Sequence, residues 1–91
     1  MKYIVLRSGK FGLEREFPII FPNSLTHSDV FQALIKECPE LDGANPVAAG
    51  ELSSININAG CHGFSSTLGE GSREEMDDNL IRMIDYTHGI F

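Results

Sequence analysis

One stretch of the chain concentrates most of the residue types that do chemistry. Ala59 to Glu75, AGCHGFSSTLGEGSREE, places a thiol, an imidazole, four glycines and three serines within seventeen positions. Three chemistries fit such a composition. A cysteine nucleophile needs a histidine base within hydrogen-bond reach and a third group to orient the ring. Cys61 and His62 are adjacent, however, and neighbouring side chains on an extended backbone point to opposite faces, so His27 or His88 would have to serve as the base. A metal site would draw on Cys38, Cys61, His27, His62 and His88, but no C-x-x-C or H-x-x-x-H spacing pairs any two of them, and neither metal nor cofactor is expected. The third chemistry is anion binding at a helix start. Gly71, Ser72 and Arg73 offer backbone N–H groups and a guanidinium to a nucleotide-like phosphate, yet the Gly-Lys-Ser/Thr ending of a phosphate loop is missing and Glu70, Glu74 and Glu75 would repel the same anion.

Each of these residues also has a plain structural role. Gly60 and Gly63 bracket a turn, Gly69-Glu70-Gly71 reads as a loop, and Ser72-x-x-Glu75 is a capping box that starts a helix at Arg73. In that helix Met76, Leu80, Ile81, Met83 and Ile84 recur at helical spacing as the expected core face. Glu74, Glu75, Asp77 and Asp78 load its first turns with negative charge, which suits the positive helix end. A sharper use for those carboxylates is a surface for a basic partner, for which Glu70, Glu74 and Asp78 are the candidate contacts because they can share one exposed face. Residues 80–91 also fit a strand through Ile81, Met83 and Asp85. The last two residues, Ile90 and Phe91, are apolar, so that tail either docks on the core or forms a sticky patch, with Phe91 as a further partner contact.

The elements that must hold these residues are legible upstream. Lys2 to Arg7 and Leu13 to Phe21 read as two strands joined through Ser8-Gly9-Lys10, with Pro18 confining the second to a sheet edge or a bulge. Thr26 is an N-cap with Asp29 at N3 and Leu25 able to staple onto Val30, so a helix is predicted from about His27 to about Glu37, burying Val30, Phe31, Leu34, Ile35 and Cys38 and ending at Pro39. Glu40 to Pro46 is a polar loop, Val47 to Leu52 a strand, Ser54 to Asn58 an alternating half-buried strand, and Phe64 to Leu68 its returning partner. The expected fold is α+β, a two-layer antiparallel sheet of about four to five strands packed by one or two helices, in a single domain over 1–91.

Composition bounds the function. The 91 residues carry a net charge of −6 and 42% hydrophobic side chains. Lys2, Arg7, Lys10 and Arg15 against Glu14 and Glu16 give the first 22 residues a net +2, so the other 69 hold −8. That sign disfavours direct nucleic-acid binding. No run approaches a membrane span, and the charged, short Met1-to-Arg7 start is no signal peptide, so a cytosolic protein with two free thiols is expected.

Four segments resemble a family. Phe17-Pro18-Ile19-Ile20-Phe21-Pro22, Leu25-Thr26-His27-Ser28-Asp29-Val30, Val47-Ala48-Ala49-Gly50 and Thr67-Leu68-Gly69-x-x-Ser72-Arg73, with Asp85-Tyr86-Thr87-His88-Gly89 near the end, are similar to a group of small proteins encoded by bacteriophages and prophages. The likeness spans most of the chain, and its motifs are fold signatures rather than catalytic ones. It implies a non-enzymatic accessory protein in the host cytoplasm that binds and blocks a host macromolecule such as an antiviral-defence component; the sequence leaves its oligomeric state open, a homodimer included. Sequestering a nucleotide-like ligand and cysteine-dependent hydrolysis are the rival readings.

Overall fold

A computed structural model describes residues 1–8, 15–41, 43–53 and 60–88, without the side chains of Glu40 and of 84–88. The chain forms β1 (Lys2–Ser8), β2 (Arg15–Phe21), α1 (His27–Glu37), a single 3-10 turn (Pro39–Leu41), β3 (Asn45–Glu51), β4 (Phe64–Ser65), β5 (Glu70–Gly71) and α2 (Glu74–His88). This is the α+β architecture that the patterning predicts, with an antiparallel three-stranded sheet in the order β2-β1-β3, a small β4-β5 ladder and two helices. The first hairpin pairs Lys2 with Phe21 and Ser8 with Arg15, and its turn lies outside the described residues. Pro18 sits opposite Val5 on an edge strand, where a missing N–H is tolerated.

β1 is the centre of the molecule because its side chains serve two cores. Tyr3 and Val5 face one way, into a cluster with Ala48, Leu52, Cys61 and Ile81, flanked by Leu80 of α2. Ile4 and Leu6 face the other way, into a cluster with Phe21 and Ala49, against which Val30, Phe31 and Leu34 of α1 pack. Alternation along one strand therefore puts the two helices on opposite faces of the sheet, a finer arrangement than a single packed layer. A continuous apolar run such as Tyr3-Ile4-Val5-Leu6 suits a strand covered on both sides. A bulge between Val5 and Leu6 in the β1–β3 register puts one extra β3 residue opposite this step, so Val47 and Ala48 both reach the α2 core.

α1 begins where its sequence says. Thr26 Oγ1 accepts the Asp29 N–H at 3.1 Å, and the helix ends as Cys38 donates its N–H to the Leu34 carbonyl ahead of Pro39. The region after β3 departs from the sequence reading in two ways. Phe64 to Leu68 is not one strand: only Phe64–Ser65 is extended, residues 66–69 turn, with Gly69 at φ 72°, and Glu70–Gly71, read as loop, returns as β5. This segment crosses β3 where His62 bridges Glu51, and the crossing requires Gly50, because a Cβ there would lie 2.3 Å from the His62 carbonyl oxygen. The Ser54–Asn58 strand lies outside the described residues.

The ambiguity at residues 80–91 resolves as helix through His88. Its buried face matches the predicted one at Leu80 and Ile81 and departs from it at Met76, Asp77 and Met83. Asp77 and Ile81 turn inward at 0% and 1% exposure, while Met76 and Met83 face solvent. Among the described residues no helix is long and apolar enough to cross a membrane.

Candidate functional site

Asp77, counted in the sequence among a run of surface acids, is instead the centre of a buried polar cluster. The phenol of Tyr3 has one proton and two oxygen neighbours, Asp77 Oδ2 at 2.5 Å and Ser72 Oγ at 2.7 Å. A carboxylate only accepts, so Tyr3 donates to Asp77 and the Ser72 hydroxyl donates to Tyr3. Burial first, and then the Asp77 carboxylate, raise the phenol's pKa well above its ordinary value, which keeps it protonated. Asp77 Oδ2 also accepts the backbone N–H of Arg73 at 2.8 Å, and Oδ1 accepts Arg73 Nε at 3.0 Å. Arg73 Nη2 stands 2.9 Å from both Asp77 Oδ1 and Glu16 Oε1, close enough for ion pairing although its angles fall outside hydrogen-bond geometry. Glu16 is gripped from its far side by Arg7, whose Nε and Nη2 lie 3.1 and 2.6 Å from Oε2. Burial opposes the Arg73 charge, and the Glu16 and Asp77 carboxylates outweigh it and raise its pKa. Glu16 is held below the usual carboxylate range by Arg73 and then Arg7.

This cluster alters the helix start. α2 begins at Glu74, its first helical hydrogen bond runs from Asp77 N–H to the Arg73 carbonyl, and Arg73 rather than Ser72 occupies the cap. The side chain that satisfies the orphaned Arg73 N–H comes from one turn ahead. Ser72 has a different job, with its hydroxyl on Tyr3 and its N–H donating to the Gly63 carbonyl at 2.9 Å. The Ser72 and Arg73 donors needed to cradle a phosphate are thus committed to protein acceptors, and Gly71 is paired with Phe64 in β5.

The remaining candidates separate along the same lines. Asp78 is half-buried and accepts the Cys61 N–H at 2.8 Å, so it ties α2 to the turn before β4 and does not stand on the outer face with its neighbours. Glu74 and Glu75 are exposed and Glu70 is half-exposed on β5. Phe91 lies outside the described residues. Cys61 is buried, and that burial, reinforced by Asp78, pushes its thiol up to about 12, where little nucleophilic thiolate forms near neutral pH. His62 is exposed and turned away, its Nδ1–H donating to the Gly60 carbonyl at 2.7 Å while Nε2 lies 3.6 Å from Glu51 Oε2. His27 is buried, donating Nε2–H to the Gly50 carbonyl at 2.9 Å with its ring edge-on to Phe21. The side chain of His88 is not among those described. Among the described residues no three His, Cys, Asp or Glu side chains are grouped to hold a metal ion.

Two features went unread in the sequence. Tyr3, Glu16 and Asp77 form the cluster, and the one local signal was that Asp77 shares its helical phase with Ile81. Phe64 and Glu51 line a groove of about 160 Å³ with Ser66, Thr67, Thr26 and Lys2, and Phe64 is 65% exposed. Comparison of the chain with protein-family models, with curated proteins and with solved structures gave no match.

Proposed function

We propose that the chain is a non-enzymatic binding protein that blocks a basic protein surface by occupying it, with Glu70, Glu74 and Glu75 as the contacting carboxylates. The observation that carries this reading is the division of labour among the acids at the start of α2. Asp77 and Asp78 turn inward and fix the helix, so Glu74 and Glu75 project from a held backbone. The cation next to them in sequence, Arg73, is committed to Asp77 and Glu16. Fixed like charges raise the association rate with a basic surface, and they oppose an anionic ligand at the same helix start. The inaccessible Cys61 thiol and the structural bond of His27 weigh against the hydrolase alternative. The likeness to phage accessory proteins makes a host protein the expected target.

Affinity capture from bacterial lysate tests this directly. A partner retained at low salt, released at high salt, and lost with Glu70→Lys/Glu74→Lys/Glu75→Lys supports the reading. A partner held equally by the folded triple variant, or thermal stabilisation of the chain by a nucleotide, contradicts it.

A further inference from the structure

The groove between the end of β3, the start of α1 and the β4-β5 ladder has a composition that no structural role absorbs. Most of its polar groups are satisfied within the fold. Thr26 Oγ1 accepts from Asp29, Thr67 Oγ1 accepts the Ser28 N–H at 3.2 Å, and the Lys2 ammonium donates to the Leu25 carbonyl at 2.9 Å. His27, with Nε2 on the Gly50 carbonyl, and Ser65, with Oγ on Thr67 Oγ1, complete that set, and beside them an aromatic ring, a carboxylate and the Ser66 hydroxyl line the groove.

Phe64 is exposed for a reason that the fold enforces. It pairs with Gly71, and its ring lies over that glycine so closely that a Cβ there would stand 3.3 Å from Phe64 Cδ2. The ring is therefore seated on a two-residue ladder closed by a turn, a fixed platform rather than a free side chain. Glu51 ends β3 with its carboxylate 56% exposed. Its titratable neighbours are Lys2, which stands opposite it in the β1–β3 register with its ammonium held on the Leu25 carbonyl, and His62, whose Nδ1–H is engaged by Gly60, so that in that tautomer the nitrogen nearest Glu51 carries a lone pair and offers no proton. A carboxylate and an open aromatic face around one hollow form a receptor for a cation, because the ring quadrupole and the negative charge attract the same ligand. At about 160 Å³ the hollow is well below the roughly 300 Å³ at which pockets for drug-sized ligands begin. It has room for one long side chain.

We propose that this groove receives an arginine side chain of the protein partner, stacked on Phe64 with its guanidinium paired to Glu51. The inference rests on the reading of the chain as a binder of a basic protein surface and names the side chain it recognises. Arginine fits better than lysine because its planar group both stacks and forks onto a carboxylate. Lys2, opposite Glu51 in the β1–β3 register, repels the ligand, so the guanidinium lies on the Phe64 side of the carboxylate.

Titrating the isotope-labelled full chain with Nα-acetyl-arginine methylamide, followed by amide chemical shifts, tests the site without the partner. Saturable shifts are expected at Glu51, Phe64 and Ser66 in the millimolar range, with none from the uncharged Nα-acetyl-norleucine methylamide. Glu51→Gln and Phe64→Leu, both at exposed positions, should each weaken the arginine probe by about fivefold, and Lys2→Met should tighten it. Absence of saturable shifts at tens of millimolar probe, or equal binding of the norleucine probe, overturns the proposal. Those results would leave the carboxylates of α2 untouched, because reversal of Glu70, Glu74 and Glu75 is read on the captured partner and not on this probe.

Discussion

The two helices begin in opposite ways. At α1 the capping side chains are local, with Thr26 accepting from Asp29 three residues on and Gln32 Nε2 donating to Ser28 Oγ four residues back, and a single distant hydroxyl, Thr67 Oγ1, takes the Ser28 N–H. At α2 the partners are distant, since Asp77 accepts a hydrogen bond from the Tyr3 phenol of β1 and its Arg73 neighbour pairs with Glu16 of β2. A local cap sets only where a helix starts. The distant cluster sets both the start and the rotation of the helix about its axis, and that rotation decides which carboxylates reach solvent.

The strongest way to break this contrast is Asp77→Asn. It keeps the shape and removes the buried charge, leaving Arg73 with Glu16 alone as its counter-charge. Loss of one member of a buried pair costs about 3 kcal/mol, well above any cap effect. A denaturant melt reads it, and a loss under about 1 kcal/mol would mean that α2 is held by apolar packing alone.

Caps come next in size. Thr26→Ala should cost about 1 kcal/mol and speed hydrogen exchange at the Asp29 amide, because that N–H loses its acceptor. Ser72→Ala removes a hydroxyl donor from the Tyr3 oxygen instead, so exchange at the Arg73 amide should stay protected by Asp77. Deprotection at Arg73 in Ser72→Ala would restore Ser72 as the cap.

The smallest effect is a pH dependence. The folded pKa of Glu16 is depressed by Arg73 and Arg7, so its contribution is present above the ordinary value of 4.5 and is lost as pH falls from there through the folded value. Glu16→Gln should flatten that acid limb and leave the slope near neutrality unchanged. An acid limb as steep as that of the wild type would assign the loss to another carboxylate.

This contrast also explains what the sequence could reveal. β1, β2, the edge position of Pro18 and the bounds and cap of α1 follow from signals contained within a few residues, whereas of the stripe predicted to be buried in α1 only Val30, Phe31 and Leu34 pack on the core, half-buried, and Ile35 and Cys38 join neither cluster. α2 was legible as a helix but not in its orientation. Leu80 and Ile81 pack on the core as their spacing predicts, but Met76 and Met83 continue the same apolar pattern outward, and only contacts with Tyr3 and Glu16, more than 55 residues away in sequence, turn Asp77 inward. Ser72-x-x-Glu75 is a convincing capping box for the same reason: the pattern says nothing of a tyrosine waiting for that hydroxyl. The β4-β5 ladder, two residues on each side, is too short for periodicity to mark, so Phe64 was assigned to a longer strand and its groove went unseen.

That inward turn of Asp77 and Asp78 leaves Glu70, Glu74 and Glu75 as the surface acids, and their role is the claim on which the account rests. The most direct test is the association rate of the captured partner with wild type and with Glu70→Lys/Glu74→Lys/Glu75→Lys, measured across ionic strength by stopped flow. The variant should stay folded, losing a few tenths to about 1 kcal/mol per reversed charge at the helix end. At low salt the variant should associate at least tenfold more slowly, and added salt, which slows the wild type, should speed it. A folded variant that associates at the wild-type rate at every salt concentration would contradict it.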